Sequence, residues 1–105
     1  MIEVNTTYDF LPGIDQHAYG ERVQKAIGLL LQAPGFVELR AYRNILGSPQ
    51  VRTSSVWQML ADWAKFSQGT EWQAFEAEIR AFTTHIRTEL WGPSPALPQP
   101  LRPGK

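Results

Sequence analysis

The chain contains no cysteine. Disulfides, thiolate nucleophiles and zinc–thiolate or iron–sulfur centres are therefore excluded. Histidine is scarce: His17 and His85 are the only two, far apart and without carboxylates at ligand spacing, so no metal site is expected. Net charge is absent as well. Ten basic and ten acidic residues cancel, and no basic block offers an electrostatic footing to nucleic acid or an anionic membrane. Long apolar runs are missing too. Ile27 to Leu31 is the longest, far short of a bilayer span. No basic stretch followed by an apolar run comes after Met1, and the chain reads as cytoplasmic. Neither a glycine-rich phosphate loop nor a nucleophile-elbow serine is found, so no cofactor is expected.

What is present reads as one soluble domain of 105 residues, with 43% apolar and 19% charged residues. "IEVNTTYDF" alternates, with Ile2, Val4, Thr6, Tyr8 and Phe10 on one side and Glu3, Asn5, Thr7 and Asp9 on the other, which predicts a half-buried strand. Asp15 is placed to cap a helix over Gln16 to Gln32, where Tyr19, Val23, Ala26, Ile27, Leu30 and Leu31 keep helical spacing. "APG" ends it. "FVELRAYRNIL" predicts a second strand, with Val37, Leu39, Ala41 and Ile45 alternating against Glu38, Arg40, Tyr42 and Asn44. "GSP" turns the chain into a third strand, "QVRTSSVWQM", to make an antiparallel hairpin.

A short helix over Leu60 to Gln68 comes next, with Gly69 suited to a left-handed position past its end. Thr70 and Gln73 form a capping box for the next helix, which buries Trp72, Phe75, Ile79 and Phe82. "THIRTELW" alternates again and is read as a fourth strand, with a longer helix as the competing reading. Residues 92–105 carry five prolines between Pro93 and Pro103 and form an extended tail behind a domain spanning residues 1–91. The order strand, helix, strand, strand, helices, strand predicts an α+β ferredoxin-like fold. Its four-stranded antiparallel sheet carries helices on one face and leaves the other free for a second copy.

"PGFVELRAYRN", "VWQMLADWAKF" and "EWQAF" together resemble the antibiotic biosynthesis monooxygenase family of the dimeric α+β barrel superfamily. Pro34-Gly35-Phe36, Trp57 and Trp72 with Phe75 carry the resemblance, which runs over residues 2–91. It implies a homodimer with its sheets facing each other and a cavity between sheet and helices. Some members oxygenate aromatic phenols with molecular oxygen and neither metal nor flavin. Others cleave haem, using an asparagine on the first strand, a tryptophan on the helix after the third, and a histidine further along. Asn5 and Trp63 match the first two, but Glu76 to Arg80 holds no histidine. Haem ligation is not expected.

Within this pattern Asn5 and Trp63 are the candidate catalytic residues, and Trp57, Trp72, Phe75, Arg40 and Tyr42 the candidate substrate-binding residues. Each has a structural reading beside the chemical one. The tryptophans pack a core as readily as they wall a pocket. Arg40, Tyr42 and Asn44 share a face that suits an oxyanion or a dimer contact. His17 and His85 read as solvated. The leading functional reading is a cofactor-independent monooxygenase acting on an aromatic or phenolic small molecule. The alternative is a non-enzymatic ligand-binding or interaction protein on the same barrel.

Overall fold

The computed structural model describes residues 1–104. Its elements are β1 (Ile2–Phe10), α1 (Gln16–Leu31), β2 (Phe36–Arg43), β3 (Val51–Trp57), α2 (Leu60–Ser67), α3 (Thr70–Ile79) and β4 (Thr83–Trp91). The strands form one antiparallel sheet in the order β2-β3-β1-β4. This is the expected ferredoxin-like α+β layout, and Thr83–Trp91 is a strand rather than a helix end.

The inward side chains of β1 and β3 meet the helices in two clusters. Tyr8 and Val51 pack against Tyr19 and Ala26 of α1 and Phe75 and Ile79 of α3. Val4 and Trp57 pack against Leu30, with Phe36, Leu39, Trp63 and Trp72 around them. The alternation of β1 is what places Val4 and Tyr8 on this side and Glu3 and Asn5 on the other.

Asp15 caps α1 as expected, its Oδ1 accepting from the backbone N–H of His17 at 2.9 Å and Ala18 at 3.2 Å. The α2–α3 junction differs from expectation. Gly69 has φ −66° and is the N-cap of α3, and no side chain caps the helix. Thr70 is already the first helical residue, so the capping box does not form and Gly69 takes no left-handed conformation. With a single linking pair between α2 and α3, the chain has no room for a separate capping residue.

Two register shifts also depart from simple alternation. In β2 the pairing with β3 shifts between Phe36 and Glu38. Phe36 and Leu39 both face the core, and Val37 turns out to solvent. In β4 the pairing with β1 shifts between Thr7 and Asp9, where His85 takes φ 56°. Both are β-bulges, in which one inserted residue switches the face taken by the rest of the strand. β2 ends at Arg43, so Asn44 to Leu46 lie in the hairpin loop, held by Asn44 Oδ1 accepting from Leu46 N–H at 3.0 Å. Ile45 is 94% exposed rather than inward.

Candidate functional site

Between the sheet and the helices lies a cavity of about 640 Å³. Its floor is the inward face of the sheet: Val4, Thr6 and Tyr8 from β1, Leu39 and Ala41 from β2, Thr53 and Ser55 from β3, Ile86 and Thr88 from β4. Its roof is α1 and α3, with Tyr19, Val23, Phe75 and Ile79 facing down. Most of these inward sheet positions hold small side chains, and that is why the layers do not close on each other.

One wall is aromatic. Trp63 of α2 lies 6.4 Å from Trp72 of α3, centroid to centroid, and Trp72 lies 4.9 Å from Phe75. All three line the cavity. The spacing of Trp72 and Phe75 puts them on one side of α3, and α2 sets Trp63 beside them. The indole N–H of Trp72 is buried without a protein acceptor. Trp57 stands behind this wall. It is 0% exposed, packs on Phe36, Trp63 and Phe66, and donates from Nε1 to Ser55 Oγ at 2.9 Å. It supports the wall and does not line the cavity.

Polar groups enter the lining at the Tyr8 end. The Tyr8 and Tyr19 hydroxyls are hydrogen-bonded to each other, and both residues are buried. Burial, followed by the bond from Tyr19, pushes the Tyr8 phenol far above its ordinary value, so it stays protonated. Arg43 borders the same end, with its guanidinium 4.6 Å from the Phe10 ring centroid. Phe10 in turn lies edge-on to Tyr19 at 4.9 Å.

The other sequence candidates lie on or toward the open face of the sheet. Asn5 donates from Nδ2 to Glu3 Oε1 at 3.0 Å, and Ser54 Oγ donates to the same oxygen at 2.8 Å. The Ser54 hydroxyl and then the Asn5 amide hold the Glu3 carboxyl below its ordinary value. Arg40 Nε pairs with Glu38 Oε2 at 2.6 Å. The Tyr42 ring sits under the Arg52 guanidinium at 4.5 Å, while the residue borders the cavity at the β2 edge. Neither Asn5 nor Arg40 lines the cavity. His85 reaches Asp9 Oδ2 at 3.2 Å from its bulge, and His17 pairs with Glu21 at 3.2 Å on the surface of α1. Among the described residues no three His, Asp or Glu side chains come together as a metal site, and no helix is long and apolar enough to cross a membrane.

The sequence reading did not single out Tyr8, Tyr19 or Arg43 for chemistry. Tyr8 and Tyr19 stood at inward positions and were read only as core. The signal available was Thr6 beside them, a polar residue on an otherwise apolar inward row.

A ferredoxin-like sheet with a cavity under its helices, walled by the tryptophans after β3, defines the class of protein. The chain belongs to the antibiotic biosynthesis monooxygenase family, whose model matches residues 1–78. No curated protein sequence matches it. Among solved structures it is similar to a variant of SnoaB, a cofactor-independent oxygenase from Streptomyces nogalater. The TM-score is 0.78 at 13% identity, covering 93% of this chain and 97% of that one. A conserved protein from Methanosarcina mazei Go1 gives 0.76 at 9% identity, covering 86% and 89%. The hydroxynitrile lyase of Passiflora edulis gives 0.74 at 13%, covering 86% and 90%. At such identities the likeness is one of fold, and an oxygenase and a lyase share it.

Proposed function

We propose that the protein is a cofactor-independent monooxygenase of an aromatic or phenolic small molecule, acting as a cytoplasmic homodimer. The observation that carries this reading is the cavity itself. Its volume suits one drug-sized ligand, and its wall of Trp63, Trp72 and Phe75 offers flat faces for a ring. Family membership and the likeness to a cofactor-independent oxygenase support it.

The reaction is the oxidation of an activated CH₂ beside a phenol or carbonyl. The substrate gives up a proton and becomes an electron-rich carbanion. That carbanion passes an electron to O₂, and recombination gives a hydroperoxide. Loss of water then leaves a carbonyl, so CH₂ and O₂ become C=O and H₂O. The chain holds the ring between the aromatic side chains, keeps bulk water from the carbanion and stabilises charge on oxygen. Asn5 and Arg40 serve the dimer contact. The open face carries both signs of charge, Glu3, Glu38 and Glu89 against Arg40, Arg52 and Arg87, along with Tyr42 and Trp91, and that mixture can complement a twofold copy of itself.

The test is oxygen uptake by purified protein with anthrone-like and hydroquinone substrates in the presence of chelator. Uptake should persist with chelator and fall in Trp63→Ala, while sedimentation gives twice the chain mass. Absence of uptake across a broad aromatic panel would leave the ligand-binding reading in its place. A clean monomer would remove the barrel.

A further inference from the structure

The Tyr8 end of the cavity is built unlike the end at Val4 and Trp63. Tyr8 of β1 and Tyr19 of α1 come from different elements, both are buried residues of the cavity lining, and their hydroxyls are hydrogen-bonded to each other. A pair of phenols carries two O–H hydrogens. One is used between them. No protein acceptor for the second exists among the described residues, whose only side-chain bond at either hydroxyl is the mutual one. The pair therefore presents a free donor. Arg43 borders the same end, and its charge reaches Tyr8. Arg43 has no carboxylate partner among the described residues.

A buried donor beside an unpaired cation is an arrangement that recognises negative charge on oxygen. The rest of the lining does not oppose it: Glu76 on α3 and Arg80 just past its end are its other charged residues and offset each other in sign. Desolvation keeps the Tyr8 phenol protonated, so the donor is not lost at neutral pH.

We propose that the Tyr8–Tyr19 hydroxyl pair and Arg43 form an oxyanion-binding subsite, which selects a flat aromatic ligand carrying its negative charge on an oxygen at the end away from Trp63. The inference rests on the reading of this cavity as the ligand site and deepens it by naming the ionic form of the ligand. An aromatic anion spans the cavity with its ring on the tryptophans and its oxygen on the phenols. In an oxygenation this subsite holds the deprotonated form of the substrate, the form that reacts with O₂.

The probes are 2-naphthoate and its neutral near-isostere 2-naphthamide, titrated by calorimetry at neutral pH into the full chain. The wild type should bind the anion about tenfold tighter, the size expected of a charge-assisted hydrogen bond. The preference should fall toward unity in Arg43→Gln, with naphthamide affinity unchanged there, and should also fall in the double variant Tyr8→Phe/Tyr19→Phe. Circular dichroism checks the fold. Arg43 is exposed at the end of an edge strand, so Arg43→Gln alone decides the matter where the double variant unfolds. An unchanged anion-to-amide ratio in the variants overturns the subsite, as does a wild type that binds neither probe or does not discriminate. Oxygen uptake on the same preparations separates the two readings. Selectivity lost on substitution without any uptake keeps the subsite and removes the oxygenase, whereas uptake with an unchanged ratio does the reverse.

Discussion

Replacing Trp57 and Trp63 by alanine, one at a time, separates the support of the cavity from its wall. Trp57 is 0% exposed, with ring centroids of Phe66, Phe36 and Trp63 at 5.1, 5.4 and 5.6 Å. Truncating a buried tryptophan to alanine costs about 3–5 kcal/mol. The change also leaves Ser55 Oγ without the indole donor it now accepts from at 2.9 Å. A domain of this size has about 5–15 kcal/mol in total, so Trp57→Ala removes about a fifth or more of it. Trp63 faces the cavity on one side and loses less, about 1–2 kcal/mol for a partly buried side chain. Urea unfolding followed by far-UV circular dichroism, at one fixed chain concentration, measures both. The expected order is a large loss of stability in Trp57→Ala and a smaller one in Trp63→Ala, with binding of 2-naphthamide abolished in the latter. If Trp63→Ala were as destabilising as Trp57→Ala and binding survived, Trp63 would be core and the aromatic wall would not exist.

Gly35 sits at φ 83°, and a Cβ there would meet Asp62 Cβ at 2.6 Å as well as the Asp62 carboxyl. Gly35→Ala should therefore cost about 2–4 kcal/mol, from left-handed strain and overpacking of α2, and an unchanged urea midpoint would refute this. Glu3 and Asp9 are both held below their ordinary values of 4.5 and 3.8, Glu3 first by the Ser54 hydroxyl and Asp9 first by the Ser48 hydroxyl. A lowered folded-state pKa adds stability that is fully present above the unfolded value and is lost as pH falls through the folded one. The urea midpoint should thus be flat above pH ~5 and fall below it, with a shallower acid slope in Ser54→Ala; an identical slope in that variant counts against Glu3. Removing the residues after Pro93 should leave the far-UV spectrum intact and shift stability by no more than about 0.5 kcal/mol, because residues 94–104 are exposed. Unfolding of the shortened chain would make the tail part of the domain.

Which parts of this were legible depends on how local the cause is. β1 was legible along its inward row because Val4, Thr6 and Tyr8 obey the two-residue period, and the strand's neighbours on both sides hold it flat. The cap at Asp15 was legible because it needs only a side chain and two adjacent N–H groups. The bulges were not. Val37 is β-branched and continues the apparent alternation, so nothing local shows that β3 pairs out of step with it. His85 takes a positive φ without being glycine, and that conformation is imposed by the pairing of β4 with β1. In the site, Trp72 and Phe75 followed from helical spacing, and Trp63 from the family resemblance. Asn5 and Arg40 were recognised as sharing polar faces, but only the tertiary structure shows those faces turned away from the cavity.

Whether the tryptophan seam opens at all is a balance of volumes across two layers, and no single residue states it. The small residues Thr6, Ala41, Thr53, Ser55 and Thr88 hold the sheet side low beneath α1 and α3. A sealed, empty void of about 640 Å³ at ~24 cal/mol per Å³ would cost roughly 15 kcal/mol, as much as the whole stability of a domain this size. The space therefore cannot be both closed and empty in a folded chain. It is filled by water or by a ligand, and its hydroxyls at Thr6, Tyr8, Thr53 and Ser55 provide the polar partners that ordered water needs. Larger side chains at Thr53 or Ala41 would have closed the gap and added apolar burial to a small core. A small domain that gives up that burial, and places its buried phenol pair where the gap is, keeps room for a guest.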